Sequence, residues 1–183
     1  MGLDGKPSPA IYGWAANYLK INYYYNYMTT IAKAKVEDLD QIIQLFNEYD
    51  KEIEKYFPKN HLKLLQKLNT EHGDNPRRRK SVTQGIVDKK QLFLVAKENE
   101  KVIGCVVGWI EPFNNVGKFD QLIFSKQSKN KEILKQLYKE LEKWFKAKKC
   151  LYVVADVVTK NPRKKLYQEF GFDSVVEEMR KII

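Results

Sequence analysis

Ile133, Leu134, Leu137, Leu141, Trp144 and Phe145 recur at three- and four-residue spacing, with lysines and glutamates between them. This pattern predicts a helix of roughly fifteen residues with one apolar stripe. The stripe needs a sheet to cover, and a β-rich run lies on each side of it. Leu122-Ile123-Phe124 comes before, through the polar turn Ser125-Lys126-Gln127-Ser128, and Leu151, Val153, Ala155 and Val157 come after. In the second run the alternate positions are also mostly apolar, as in a strand buried on both faces. The order predicts two adjacent parallel strands joined by a right-handed crossover. Asn161-Pro162 then reads as a helix start, with asparagine capping and proline at the first helical position. Leu166 and Phe170, four apart, face inward, and Gly171 stands where a left-handed residue would end the helix.

Upstream, Thr30 to Val36 reads as a strand, and Leu39, Ile42, Ile43, Phe46 and Tyr49 mark an amphipathic helix continuing towards Ile53. Glu37 and Asp38 fall in its first turn, where carboxylates suit the helix dipole. His61 to Leu68 reads as a second helix, and Gly73, Asp74, Asn75 and Pro76 as a loop. Arg77-Arg78-Arg79-Lys80 then opens a helix running through Ile86, either as a solvated basic turn or as a patch for phosphate or an acidic partner. Leu92 to Ala96 and Lys101 to Ile110 flank Glu98-Asn99-Glu100 as an antiparallel hairpin. Phe113-Asn114-Asn115 turns into the strand around Phe119 to Phe124, and Ser174 to Ile183 suggests a final strand. The fold class is α/β (α+β): a mixed, mostly antiparallel sheet of six or seven strands, with a parallel βαβ unit at its centre and helices on both faces. Where antiparallel pairing gives way to parallel, strand ends splay and a crevice can admit a ligand.

Composition narrows the picture. The 183 residues suit one domain, residues 28–183, preceded by an aromatic-rich extension, residues 1–27, that packs on the body or is disordered. Lys and Arg number 33 against 23 Asp and Glu, and the net charge of +10 favours anionic partners without choosing among them. Cys105 and Cys150 adjoin apolar strand residues and read as reduced core thiols, which suggests the cytoplasm. No apolar run is long enough to span a membrane, and no secretory signal is evident. The two histidines, His61 and His72, have no ligand spacing to each other or to a cysteine, so no metal site is expected. Nucleophile elbows, dinucleotide fingerprints and P-loops are absent as well.

The run Asn161-Pro162-Arg163-Lys164-Lys165-Leu166-Tyr167-Gln168-Glu169-Phe170-Gly171-Phe172 resembles the "N…LYeklGF" signature of the GNAT superfamily of acyl-CoA-dependent N-acyltransferases. The hairpin of Leu92 to Ile110 is similar to that family's "lfVAe.dgkvvG" segment, and Met28-Thr29-Thr30 resembles the beginning of such a domain. The resemblance implies acetyl-CoA as co-substrate and a small-molecule or peptide amine as acceptor. It places Tyr167 at the family's general-acid tyrosine and Asn161 at a residue contacting the cofactor arm. Asp120 would be a base, and Phe124, Lys126, Lys129, Asn130 and Lys131 would lie along the cofactor path. Aligned without gaps, Lys129, Glu132 and Leu134 occupy the family's R/Q-x-x-G-x-G/A loop, so both small positions are replaced. Glycines there would let backbone N–H groups approach a pyrophosphate at a helix N-terminus.

Each of these residues also has a plainer role. Tyr167 can pack beside Leu166 with its hydroxyl in water. Asn161 can simply cap a helix. Asp120 and the three lysines can be solvated surface charges. Two readings compete: an N-acyltransferase with a divergent cofactor loop, and a catalytically degenerate binding module of the same fold for an acidic partner or nucleic acid.

Overall fold

The computed structural model describes residues 29–57, 74–125, 131–158 and 160–175. In chain order these residues form β1 (Thr29–Lys33), α1 (Leu39–Ile53), α2 (Pro76–Val87), β2 (Gln91–Glu98), β3 (Lys101–Ile110), β4 (Gly117–Phe124), α3 (Lys131–Ala147), β5 (Val153–Ala155) and α4 (Lys164–Glu169). The five strands among the described residues lie in sequence order across one sheet, antiparallel except for the parallel pair β4 and β5. The proposed extension, the helix of residues 61–68 and most of the expected last strand lie outside the described residues. Ser174 and Val175 are described and carry no strand.

Each helix lies where its apolar spacing sends it. On one face α1 and α2 bury Ile42, Ile43, Phe46 and Val82 against Val95, Cys105, Val107 and Ile123. On the other, α3 lays Ile133, Leu137, Leu141 and Phe145 on Leu94, Val106, Phe119 and Leu122. The β2–β3 hairpin closes through Asn99 and Glu100, both at positive φ (48° and 63°), a turn whose twist matches that of the strands it joins. Asp38 accepts the Lys35 N–H at 2.9 Å and pairs with Lys97 at 2.6 Å, so the acidic start of α1 also ties it to β2.

Close approach of α3 to the sheet depends on glycine. A Cβ on Gly108 would stand 2.6 Å from Leu141 Cδ1 and 2.8 Å from Phe145 Cζ. Gly108→Val should therefore lower unfolding free energy by about 1–3 kcal/mol through overpacking, read as a fall in urea midpoint at unchanged m-value.

Several expectations change. Leu151 is exposed rather than buried, because pairing with β4 begins only at Val153. The paired residues of β4 are Gly117 to Phe119, so Leu122-Ile123-Phe124 lies beyond the parallel ladder rather than in it. Asn161 does not cap the helix: its Oδ1 accepts the Arg163 N–H at 2.9 Å in the turn before it, Pro162 sits in that turn, and the helix begins at Lys164 with Arg163 at the N-cap and no side-chain cap. Gly171 takes the left-handed conformation, φ +88°.

The basic turn of α2 is only half solvated. Arg78 is buried, paired with Asp50 and held over the Phe46 ring at 5.0 Å. Arg79 bridges Asp74 and Asp40 at 2.5 and 2.7 Å. Arg77 and Lys80 are exposed. The run is thus partly an internal tie between α2 and α1.

Candidate active site

One extra residue in β4 changes which of its main-chain groups face outward. Gly108 pairs with Phe119 while its neighbour Val107 pairs with Gln121, so Asp120 is left over as a bulge. A bulge bends its strand and re-aims the residues beyond it. Before the bulge, Glu111 donates to Val116 and Gly117 donates to Tyr152, so Gly117 and Phe119 turn their main-chain groups towards β5. After it, Ser125 donates to Ile103 at 2.8 Å, so Ile123 and Gln121 bond to β3, and Leu122 and Phe124 face outward. Strand β5 is by then gone, its last pair being Phe119 with Ala155. Among the described residues, no strand pairs with the outward edge at Leu122 and Phe124.

Short α4, entered through the turn that Asn161 Oδ1 closes on the Arg163 N–H, sets Tyr167 and Arg163 at this divergence. Tyr167 is buried with its ring 5.2 Å from Phe119 and 5.9 Å from Phe172. Burial, more than any neighbouring charge, pushes its phenol above the ordinary range, with smaller upward contributions from Tyr49 and Asp120 and a downward one from Arg163. Tyr167 thus stays protonated through neutral pH, as a proton donor must.

Arg163 links α4 to both β4 and α1. Its Nη1 donates to the Leu122 carbonyl at 3.1 Å, its Nη2 lies 3.2 Å from Glu52 Oε1, and the guanidinium stacks 4.7 Å above the Tyr49 ring. Tyr49 is itself raised, chiefly by burial, against which Arg163 acts downward and Glu52, Asp50 and Asp120 upward. Asp120 is exposed, and its charge is felt at Tyr49, Tyr167 and Cys105.

The structure therefore brings Asp120, Tyr167, the outward edge at Phe124 and the Asn161 turn to one region. Lys126, Lys129 and Asn130 lie outside the described residues, and of Lys131 only the helical backbone is described. Glu132 stands in the first turn of α3, exposed, with Oε1 3.3 Å from Lys135 Nζ. Among the described residues no cluster of three or more metal-ligating side chains occurs, and no helix is long and apolar enough to cross a membrane.

Sequence reasoning missed Tyr49, Glu52, Arg163 and Gln121. Gln121 is the only described residue with a buried side-chain oxygen lacking a hydrogen-bond partner. Such orphaned atoms in native folds call for a reason. By strand alternation Gln121 shares with Ile123 the face covered by α1. Only its position beside Asp120 could have drawn notice. A strand edge unpaired by any strand among the described residues fits an amide-bearing thioester arm.

Residues 43–172 match the acetyltransferase (GNAT) family. No curated protein matches the chain. Among solved structures, the chain is similar to the PaiA N-acetyltransferase of Thermoplasma acidophilum in complex with coenzyme A, with a TM-score of 0.64 at 20% identity over 82% of this chain and 92% of that one. A transcriptional regulator from Bacillus halodurans C-125 gives 0.64 at 16% identity over 85% and 99%. The ribosomal-protein-alanine N-acetyltransferase of Brucella melitensis gives 0.54 at 16% identity over 85% and 98%. At these identities the likeness is one of fold.

Proposed function

The chain belongs to the acetyltransferase (GNAT) family, and on that premise we propose that it is an N-acetyltransferase acting on a small-molecule or peptide amine. The observation that carries the reading is the bulge at Asp120, which turns Leu122 and Phe124 outward at the point where β5 departs and Tyr167 is buried. The coenzyme A bound to the Thermoplasma relative supports acetyl-CoA as co-substrate.

When bound, acetyl-CoA supplies an acyl group activated as a thioester. The main-chain groups of Leu122 and Phe124 hold its arm along the β4 edge. Lys126, Lys129, Asn130 and Lys131 attract its phosphates, and Asn161 fixes the turn that carries α4. Asp120 takes the proton from the acceptor ammonium, directly or through water. The amine nitrogen forms the new bond to the acyl carbon, the carbon–sulfur bond breaks, Tyr167 delivers a proton to the departing sulfur, and the second proton released by the nitrogen restores the phenol. The alternative, a non-catalytic module for an acidic partner or nucleic acid, loses support because Arg78 and Arg79 are already engaged with Asp50, Asp74 and Asp40.

Coenzyme A titration tests the reading. Glu132 places a carboxylate at the positive end of α3, where it competes with a pyrophosphate for the helix dipole. Glu132→Gly, and further Glu132→Gly with Leu134→Ala, should bind coenzyme A more tightly than the parent by calorimetry. The glycine substitution should lower folding stability by about 1–2 kcal/mol. Loss of affinity in the variants would show that the divergent loop holds the cofactor as it stands. Absence of binding in every form would favour the module.

A further inference from the structure

The Arg163 side chain is fixed at both ends. Its backbone N–H is held by Asn161 Oδ1 at 2.9 Å, and its guanidinium meets Leu122 O, Glu52 and the Tyr49 ring at 3.1, 3.2 and 4.7 Å. Two of those contacts come from α1 and one from the outward edge of β4. The contact to β4 is unusual in kind. Leu122 O faces the side from which β5 has departed, so the guanidinium N–H takes the place that the next amide of a parallel strand would fill. A carbonyl stranded there would be costly if dry, and Arg163 satisfies it.

We propose that Arg163 is an internal occupant of the cleft, a residue that sets which ligands the β4 edge accepts and how tightly it holds them. The proposal rests on the reading of that edge as the seat of a coenzyme A arm. An arm of this kind carries amides, which pair with a strand edge as another strand would. To bond with Leu122 O it must bring its own N–H in place of Arg163 Nη1–H. A ligand offering only acceptor oxygens gains nothing for the exchange. The displaced guanidinium keeps Glu52 and the Tyr49 ring, so the exchange gives up one charged hydrogen bond and strands no ion. The self-contact lowers the affinity of the chain for coenzyme A without touching its phosphate-binding end. It is separate from the effect of Glu132, which lies at the start of α3.

The test uses the full chain. Coenzyme A is titrated calorimetrically into the parent and into Arg163→Met, which keeps an unbranched apolar stem and removes the donors. Arg163→Gln serves as a second variant should the first melt below the working temperature. Removing the competing charged hydrogen bond should tighten coenzyme A binding about tenfold. In parallel, the Arg163 Nε–H resonance of the nitrogen-labelled parent, assigned by its loss in the variant, should shift on coenzyme A addition. Equal or weaker binding by both variants, or an Arg163 resonance that coenzyme A leaves unmoved while it binds, overturns the proposal alone. Failure of parent and variants alike to bind overturns it together with the acetyltransferase reading.

Discussion

Tyr167→Phe is expected to lower acetyl transfer by about 10²–10⁴-fold, the range for loss of a positioned acid, while moving the melting temperature little. The ring is the structural part of this residue. It packs on Phe119 and Phe172 at 5.2 and 5.9 Å, and phenylalanine keeps those contacts. Only the hydroxyl is lost, and with it, on the proposed acid role, the proton for the departing sulfur. Burial raises this phenol above the ordinary value of about 10, so its neutral form persists at every pH at which the free side chain is neutral. Turnover should therefore show no decline from phenol ionisation below about pH 10. Steady-state rates of parent and variant across pH, on the same acceptor, provide the check. Unchanged turnover in the variant would remove the acid role and leave Tyr167 as a packing residue.

The second large effect concerns stability. Asp50→Ala should cost about 3–5 kcal/mol in urea unfolding, because it leaves the Arg78 guanidinium buried and stripped of its charged partner. Asn47 Oδ1 at 3.4 Å and the Phe46 ring at 5.0 Å remain, but neither supplies a negative charge. The double variant Asp50→Leu with Arg78→Met should lose less than Asp50→Ala alone, since it removes both ions and leaves apolar groups in a mostly apolar site. A double variant as unstable as the single one would mean that the cost lies in packing rather than in the unpaired charge.

A physical division separates the legible parts of the chain from the rest. Local periodicity was sufficient for α1 and α3, because their apolar stripes are long and regular, and the β2–β3 hairpin was marked by two β-rich runs on either side of Asn99, a residue suited to positive φ. Gly171 was legible for the same reason: its ending of a helix is a local matter. The buried state of Arg78 was not, because a run of four basic residues looks the same whether its partners are water or an aspartate twenty-eight positions upstream. Tyr167 and Asp120 were found through a resemblance, since neither stands out by spacing alone. Arg163 belongs to that same signature but carries no mark of its own in it. Its importance comes from the Leu122 carbonyl, which becomes accessible only when a bulge and a departing strand act together. Gln121 is similar, being an orphan only in three dimensions.

The bulge at Asp120 also bears on how this chain is compared with its relatives. Across it, the pairing sum of β3 and β4 residue numbers changes by one, from Gly108 with Phe119 to Val107 with Gln121. Chain length at this point, rather than residue identity, decides which carbonyls look into the cleft. An alignment that runs through β4 without a gap, against a relative whose extra residue falls elsewhere or is missing, would match cleft-facing positions with positions bonded to β3. Every residue from Gln121 to Phe124 would then inherit its neighbour's role. For this family, correspondence along β4 is best counted outward from the bulge in each direction, as one counts from a landmark, and not from the ends of the strand.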